Sequence, residues 1–264
     1  MSRDSLLSRK LPFSSAAVLA AAATSNGGEF RPRDVRFFLE LFSNWVEISF
    51  EQGVLEVQNT QIGRFLDTLA DGGLLQKRSR RTKAAIYFAT RSGIIELTSM
   101  LLHDTGQGRR ERFFFIVYFI SSYKDVILSM IAQDKKRYPY VLSVELDRLL
   151  DSGALIDTEI KRTEQEIKQL EIRISMAFES ADLFEKEIAS GQEMTTAVRN
   201  FQRRFPYAMN NVKPLGELIT MLPESLQSWE LGAGSRKRAL DIWQPHLDML
   251  VHYLGQLQEL EHRI

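Results

Sequence analysis

The sequence predicts a mainly α-helical protein in which a small, basic β-hairpin interrupts the helices of the N-terminal third. Three observations lead to this fold class. Apolar residues recur at helical spacing along most of the 264-residue chain. One short stretch near residue 80 instead alternates in the manner of strands. From residue 156 to 188 the apolar spacing alternates between three and four, which is typical of a long helix in a bundle.

The composition is that of a folded globular protein without a net electric field. Hydrophobic residues make up 44% and charged residues 26%, and the length suits one large or two modest domains. The 34 basic residues balance the 34 acidic ones, so any electrostatic function must be local. Because there is no cysteine, disulfides, cysteine-ligated zinc and thiol nucleophiles are excluded. We expect a cytoplasmic protein.

Two helices are predicted before residue 50. The alanine-rich stretch from Ser14 to Thr24 superficially resembles a signal peptide, but it contains few strongly apolar residues, so we favour a short helix. A second helix over Pro32 to Ile48 is indicated by aromatic residues at helical spacing. The longest apolar run, Phe113 to Ile120, is far shorter than the roughly 20 residues that cross a bilayer. It predicts a buried helix and no membrane association.

The order helix, hairpin, helix is predicted between residues 59 and 102. Apolar residues at positions 62, 65, 66 and 69 give one helix a buried side, and Asp71-Gly72-Gly73 ends that helix. Two extended segments, Leu74 to Arg78 and Ala84 to Thr90, then suit a small hairpin. A further amphipathic helix covers Ile94 to Leu102.

The same stretch resembles a known family. Asn59-Thr60-Gln61-Ile62-Gly63-Arg64-Phe65-Leu66-Asp67-Thr68-Leu69, Asp71-Gly72-Gly73-Leu74-Leu75 and Tyr87-Phe88-Ala89-Thr90-Arg91-Ser92-Gly93 are similar to the winged helix-turn-helix domains of PadR-like or MarR-like regulators. The resemblance implies that the first helix is a recognition helix and that the hairpin loop is a wing. The fold class is then an N-terminal winged helix, residues 1–104, and a C-terminal helical bundle with a long coiled-coil-like helix, residues 105–264.

The hairpin concentrates positive charge. Between Gly72 and Ile95 there is no acidic residue, while six basic ones occur: Lys77, Arg78, Arg80, Arg81, Lys83 and Arg91. Such a cluster on a neutral protein suits contact with DNA phosphates. Four polar residues of the preceding helix are expected to approach bases: Thr60, Gln61, Arg64 and Thr68. Asp67 and Asp71 run against this interpretation, because they bring negative charge to the same helix.

The second half is predicted to be helical almost throughout. Helices are expected over Arg110 to Asp134, Tyr140 to Asp151, Ala154 to Ser190, Glu193 to Arg204, near Leu215 to Met221, and from Ser235 to the end. The flanks of the heptad seam are rich in glutamate, so pairing with a second copy along it would bring like charges together. We favour the terminal helix as its partner, with Arg236-Lys237-Arg238 meeting glutamates. That helix carries an apolar stripe at three- and four-residue spacing, formed by Leu240, Trp243, Leu247, Leu250, Leu254 and Leu257. A homodimer is still expected, because such regulators commonly read two half-sites.

Signals for catalysis are weak. The four histidines lack metal-ligand spacing, and no phosphate loop, dinucleotide fingerprint or nucleophile elbow occurs. We therefore expect no enzyme and no cofactor. The predicted function is a transcriptional regulator that binds double-stranded DNA, with the bundle serving dimerisation or the sensing of an effector or protein partner. The alternatives are a non-catalytic subunit of a larger assembly, whose winged helix docks protein, and a cytosolic enzyme with an active site of scattered bundle residues.

Overall fold

The computed structural model of the protein describes residues 11–50, 59–80, 83–102, 109–204, 209–210, 213–214 and 221–263. The chain divides into two compact units, Met1–Ser152 and Gly153–Ile264. The first unit contains, in chain order, α1 (Leu11–Thr24), a 3-10 turn (Asn26–Gly28), α2 (Pro32–Phe50), α3 (Asn59–Asp71), β1 (Leu75–Arg80), β2 (Lys83–Ala89), α4 (Arg91–Leu102), α5 (Arg109–Gln133) and α6 (Tyr140–Leu149). The prediction of a mainly α-helical chain is confirmed.

The alanine-rich helix α1 lies at the centre of the first unit. Every residue from Ala16 to Ala22 is buried, on all sides of the helix. A helix without a polar face is stable only when neighbours cover it all round, and α1 packs against α2, α4 and α5. Its small side chains let these three helices approach closely.

Helix α5 joins the first unit through an aromatic core. The ring of Phe42 on α2 lies 5.2 Å from that of Phe115 and 5.9 Å from that of Phe119, both on α5. By length and composition α5 could cross a membrane, but Phe115, Phe119 and several of its aliphatic side chains are buried in the core. The division of the chain therefore falls after Ser152 rather than at the expected boundary after residue 104.

The hairpin forms where the alternating pattern predicts it. Strands β1 and β2 pair antiparallel, with Lys77 opposite Tyr87 and Arg78 opposite Ile86. A third segment joins them, because Phe30 and Tyr87 exchange backbone hydrogen bonds of 3.1 and 2.9 Å. Helix α3 ends at Asp71. Just beyond it, the positive φ of 74° at Gly73 lets the Leu74 N–H turn back and donate to the Leu69 carbonyl at 2.9 Å.

The second unit is also helical. It contains α7 (Ser152–Ala189), α8 (Met194–Arg204), the short strands β3 (Met209–Asn210) and β4 (Lys213–Pro214), α9 (Glu224–Leu231), α10 (Ala233–Arg238), a π-helical turn (Ala239–Trp243) and α11 (Gln244–Glu261). The short helix expected near residues 215–221 lies, except for its last residue, outside the described residues. Phe184 of α7 packs in a small core with Ala197, Val198 and Leu231.

Helix α7 meets the terminal helix inside its own unit. Glu159, near the start of α7, is buried and accepts a 2.9 Å hydrogen bond from the Tyr253 hydroxyl of α11. Towards the end of α7, Asp182 and Glu185 accept hydrogen bonds from Arg236. The two elements therefore run antiparallel, and Arg236 of the basic triplet meets a glutamate as predicted. Arg238 pairs with Glu230 of α9 and not with a carboxylate of α7.

The apolar stripe predicted on the terminal helix is only partly correct. Leu250 and Leu257 are buried, but Leu240 is 55% exposed. The cause is the π-helical turn over Ala239–Trp243. A π turn holds more residues than an α turn, so Leu240, which lies at the start of this turn, is rotated off the stripe that a regular helix would keep.

Candidate nucleic-acid interface

The candidate interface is built from helix α3 and the hairpin. Ile62, Leu66 and Leu69 turn one side of α3 into the core. Positions 60, 64 and 68 follow one another four residues apart on the opposite side, and positions 67 and 71, also four apart, lie beside them. The burial pattern of α3 thus leaves its polar residues as an outward-facing row.

The residues expected to approach bases differ in their freedom to do so. Thr60, Arg64 and Thr68 are exposed, whereas Gln61 is half-buried and already interacts within the chain. The Thr68 hydroxyl donates to the Arg64 carbonyl at 3.0 Å, so its remaining capacity is to accept. Among the described residues, no carboxylate lies within 4.0 Å of the Arg64 guanidinium. The guanidinium of Arg64 therefore keeps its donors available, as the expected contact with a base requires.

Asp67 ties the outward row of α3 to the hairpin. Its Oδ1 accepts a 2.7 Å hydrogen bond from Lys77 Nζ on β1 and a 2.6 Å hydrogen bond from the Tyr87 hydroxyl on β2. The Lys77 bond, with that from Tyr87, lowers the pKa of Asp67 below its ordinary value, so the carboxylate stays ionised. Burial, aided by the hydrogen bond to Asp67, raises the pKa of Tyr87, which stays protonated as the donor.

This contact changes the expected roles of Lys77 and Asp67. Lys77 was predicted to contact phosphate, but its ammonium neutralises Asp67. The negative charge of Asp67, which by sequence alone runs against contact with DNA, belongs to a carboxylate held by two donors. The pair therefore joins α3 and the hairpin and contributes little net charge to the surface.

Arg78 supplies an exposed cation to the hairpin. Its side chain is 68% exposed, and the nearest carboxylate, Glu29, is 4.0 Å away. The guanidinium lies 4.6 Å from the centre of the Phe88 ring, which orients it without consuming its charge. Arg78 therefore matches its predicted role as a phosphate contact more closely than Lys77 does.

Among the remaining predicted cations, Arg80 and Lys83 lie on the hairpin strands and Arg91 lies at the start of α4. Arg80 and Lys83 pair across the end of the hairpin, and the register shifts between Arg78 and Arg80. The side chains of Arg80 and Lys83, and the whole of Arg81, lie outside what the structure describes. Arg91 is exposed at the first residue of α4, with no carboxylate of the described chain within 4.0 Å.

Two residues that were not predicted from the sequence, Arg137 and Tyr138, contact strand β2 of the hairpin. The guanidinium of Arg137 lies 4.7 Å from the centre of the Phe88 ring, and Arg78 lies near the same ring. The Tyr138 hydroxyl donates to the Ala89 carbonyl at 2.7 Å in a buried position. No pattern in the sequence signals these contacts, because each joins residues 49 positions apart.

A cleft of about 630 Å³ in the first unit is lined in part by Arg137 and Tyr138, the two residues that contact the hairpin. Its walls include Gly28, Asp125, Met130 and Arg137. A volume of this size falls in the range of small-molecule sites. In the part of the chain that the structure describes, no group of three or more His, Asp or Glu side chains could hold a metal ion.

Comparison of the chain with known proteins gave no matching family model, no matching curated protein and no matching solved structure.

Proposed function

We propose that the protein is a transcriptional regulator that binds double-stranded DNA through a winged helix formed by α2, α3 and the hairpin. The observation that carries the proposal is the Asp67–Lys77 ion pair of 2.7 Å, which holds the polar row of α3 against the basic hairpin. A rigid pair of elements, one polar and one cationic, fits base reading by the first and phosphate contact by the second.

The order of elements supports the winged-helix part of this proposal. Helix α1 is followed by the strand-like residue Phe30, by helices α2 and α3, and by the hairpin to which Phe30 is hydrogen-bonded. The resemblance to PadR-like and MarR-like regulators implies a recognition helix and then a wing, and α3 and the hairpin follow each other in that order. Helices α2 and α3 also pack on each other, as the two helices of a helix-turn-helix do.

The mechanism that we propose places α3 in the major groove. Arg64 then donates to the acceptor edge of a guanine, and Thr60, Gln61 and Thr68 contact neighbouring base edges. Arg78 lies against the adjacent phosphates, joined by Arg80, Arg81, Lys83 and Arg91. Asp67 does not repel the backbone in this arrangement, because Lys77 neutralises it.

The remaining expectations belong to the same proposal. A homodimer would present two recognition helices to two half-sites of one operator. The second unit, in which α7 and the terminal helix form an antiparallel coiled-coil-like pair, would carry the dimer contact or a site for a partner. The cleft beside Arg137 is where an effector could act on the hairpin.

The proposal is tested by measuring duplex affinity of the full chain at several salt concentrations. Each lost phosphate contact lowers the slope of log affinity against log salt by about 0.9. We expect Arg78→Ala to lower the slope by about one such unit, and the double change of Arg80 and Arg81 to alanine by about two. Arg173→Ala, which removes an exposed arginine from α7, is the matched control and leaves the slope unchanged.

Base reading is tested separately. Duplexes selected from a random pool by the full chain are sequenced, and Arg64→Ala is expected to relax the preference at one position at a cost of about 1–3 kcal/mol. Failure of the unaltered protein to retain any duplex at low salt would remove the proposal.

A second candidate function is a protein-binding subunit of a larger assembly. It is favoured by Phe37 and Leu41, which lie one turn apart on α2 and are both exposed, Phe37 by 60%. Apolar side chains in this arrangement suit a protein interface. If this function holds, Phe37→Ser abolishes the capture of a defined partner from nuclease-treated lysate, while the duplex affinity of the full chain is absent in both forms.

A further inference from the structure

The terminal helical segment has a second apolar side that its own unit does not cover. Leu250, Tyr253 and Leu257 are buried against the rest of the second unit. On another side, Leu240 and Val251 are 55% and 52% exposed. Leu247 and Leu254, at three- and four-residue spacing around Val251, are half-buried. A helix that packs only within its own chain needs one apolar side, so the second side is suited to a further partner.

The charges along the segment favour a particular partner. The segment begins with Arg236-Lys237-Arg238, and its last turn carries Glu259 and Glu261. Glu259 lies 4.0 Å from Arg263 of the same turn, which leaves Glu261 as the acidic partner offered to a second copy. Arg236 and Arg238 pair with carboxylates of their own unit, whereas Lys237 is exposed and has no carboxylate of the described chain within 4.0 Å. Two copies placed antiparallel would bring Lys237 of each beside the acidic end of the other. Two parallel copies would set like charges against each other at both ends.

We propose that the protein forms a homodimer in which α11 packs antiparallel against α11 of a second copy. The contact is centred near Met249, which is 50% exposed, and it extends from Leu240, just before α11, to Gln258. An antiparallel pair of identical helices has two-fold symmetry, which closes the assembly at two copies. This contact would supply the interface of the homodimer in the proposed function. The observations behind it come from the terminal segment alone, and its tests use no nucleic acid. The dimer contact can therefore be refuted while DNA binding stands, and the reverse.

The heptad seam of α7 is not available for the same purpose. Its residues Ile156, Thr163 and Phe184 are buried inside the unit, and the flanking Glu159 is engaged by Tyr253. The buried residues of this seam are thus covered within the chain's own unit, where Phe184 packs on Ala197, Val198 and Leu231. The exposed side of the terminal helix is what remains for a second copy.

The oligomeric state of the full chain provides the first test. Sedimentation velocity across a wide range of concentrations is expected to show a dimer that dissociates on dilution. Val251→Glu buries a charge in the proposed contact and is expected to give a monomer at every concentration tested. Val141→Glu is the matched control, because Val141 is 57% exposed on α6 of the other unit, and this variant stays dimeric. A monomeric unaltered protein, or a control that dissociates equally, overturns the proposal.

A charge exchange tests whether the two terminal segments run antiparallel. It changes only exposed side chains, so its result does not depend on whether Val251→Glu folds. Lys237→Glu sets like charges together at both ends of an antiparallel pair and is expected to weaken dimerisation a few-fold. Adding Glu261→Lys to the same chain restores the attraction and recovers the affinity. If the double variant dissociates more readily than either single variant, the antiparallel contact is wrong.

The absence of cysteine allows a direct measurement of direction. Leu240→Cys and Gln258→Cys each introduce one thiol, and the two positions lie about 27 Å apart along a helix. A short bismaleimide is expected to cross-link a mixture of the two variants but neither variant alone. Cross-linking of each variant with itself indicates a parallel pair and contradicts the proposal.

Discussion

Helix α3 and the terminal helix predicted from Ser235 onwards carry the same kind of apolar stripe, yet only α3 behaves as its sequence predicts. In α3 the stripe of Ile62, Phe65, Leu66 and Leu69 is wholly buried. On the terminal segment Leu257 is buried while Leu240 is exposed, because the π-helical turn lies within the stretch over which regular spacing was assumed. The comparison shows that a periodic pattern predicts burial only as far as the helix stays regular.

The largest expected effect is on stability, and it tests the close packing of α4 against the start of the hairpin that follows α3. A Cβ atom at Gly93 would lie 1.8 Å from the Leu74 carbonyl oxygen, so Gly93→Ala must displace α4 from the start of the hairpin. We expect a loss of about 3 kcal/mol or more in the free energy of unfolding, measured by urea denaturation. Gly63→Ala is the control, because nothing lies within 4 Å of its added Cβ inside α3. That change should stabilise the helix by about 0.5–1 kcal/mol.

The next effect tests the interrupted stripe of the terminal helix. Leu257 is fully buried, so Leu257→Ala is expected to cost about 2–5 kcal/mol of unfolding free energy. Leu240→Ala changes an exposed side chain, and measured on dilute protein it should cost less than about 0.5 kcal/mol. Equal costs for the two substitutions would mean that Leu240 lies on the buried stripe after all.

A smaller effect tests the ion pair that joins α3 to the hairpin. Asp67→Asn removes the carboxylate that holds Lys77, and the released ammonium can then contact phosphate. Under the proposed function the salt slope of duplex binding rises by about 0.9 and the affinity increases. Asp71→Asn, which removes an exposed negative charge from the end of the same helix, is expected to raise affinity through net charge without the full change in slope. A slope that responds equally to both variants argues against a specific hold on Lys77.

The smallest effect is the pH dependence of the same contact. Because the folded pKa of Asp67 lies below its ordinary value, its contribution to stability is present above that ordinary value and is lost as the pH falls through the folded pKa. The pair is partly exposed, so the contribution should stay below about 1 kcal/mol. Unfolding measured from neutral to acid pH should show the stability difference between the unaltered protein and Asp67→Asn shrinking as the solution is acidified.

Much of the candidate site was predictable because it is encoded over short distances. The stripe of α3, the glycine that ends it and the alternation of the hairpin each depend on residues a few positions apart. Which charged side chains of the site pair with each other could not be predicted in the same way. That Lys77 neutralises Asp67 depends on how β1 crosses α3, and that Arg137 supports Phe88 depends on the packing of α5 and α6.

The domain boundary shows the same limit. The expected division after residue 104 followed a local cue, the polar, glycine-containing stretch near Thr105 to Gly108. The actual division after Ser152 follows from the rings of Phe115 and Phe119, which complete the aromatic core of the first unit. A polar stretch marks where a chain can bend, but burial of apolar area determines which helices belong together.

The sequence by itself determined where the helices and the hairpin lie and where positive charge is concentrated, since both follow from the residue types within a few turns of chain. Only the tertiary structure decided which basic side chains form ion pairs, which side of the terminal helix is exposed and where the first unit ends. These depend on pairs such as Tyr87 with Asp67 and Tyr253 with Glu159, which lie far apart in the chain and meet only once the helices have packed.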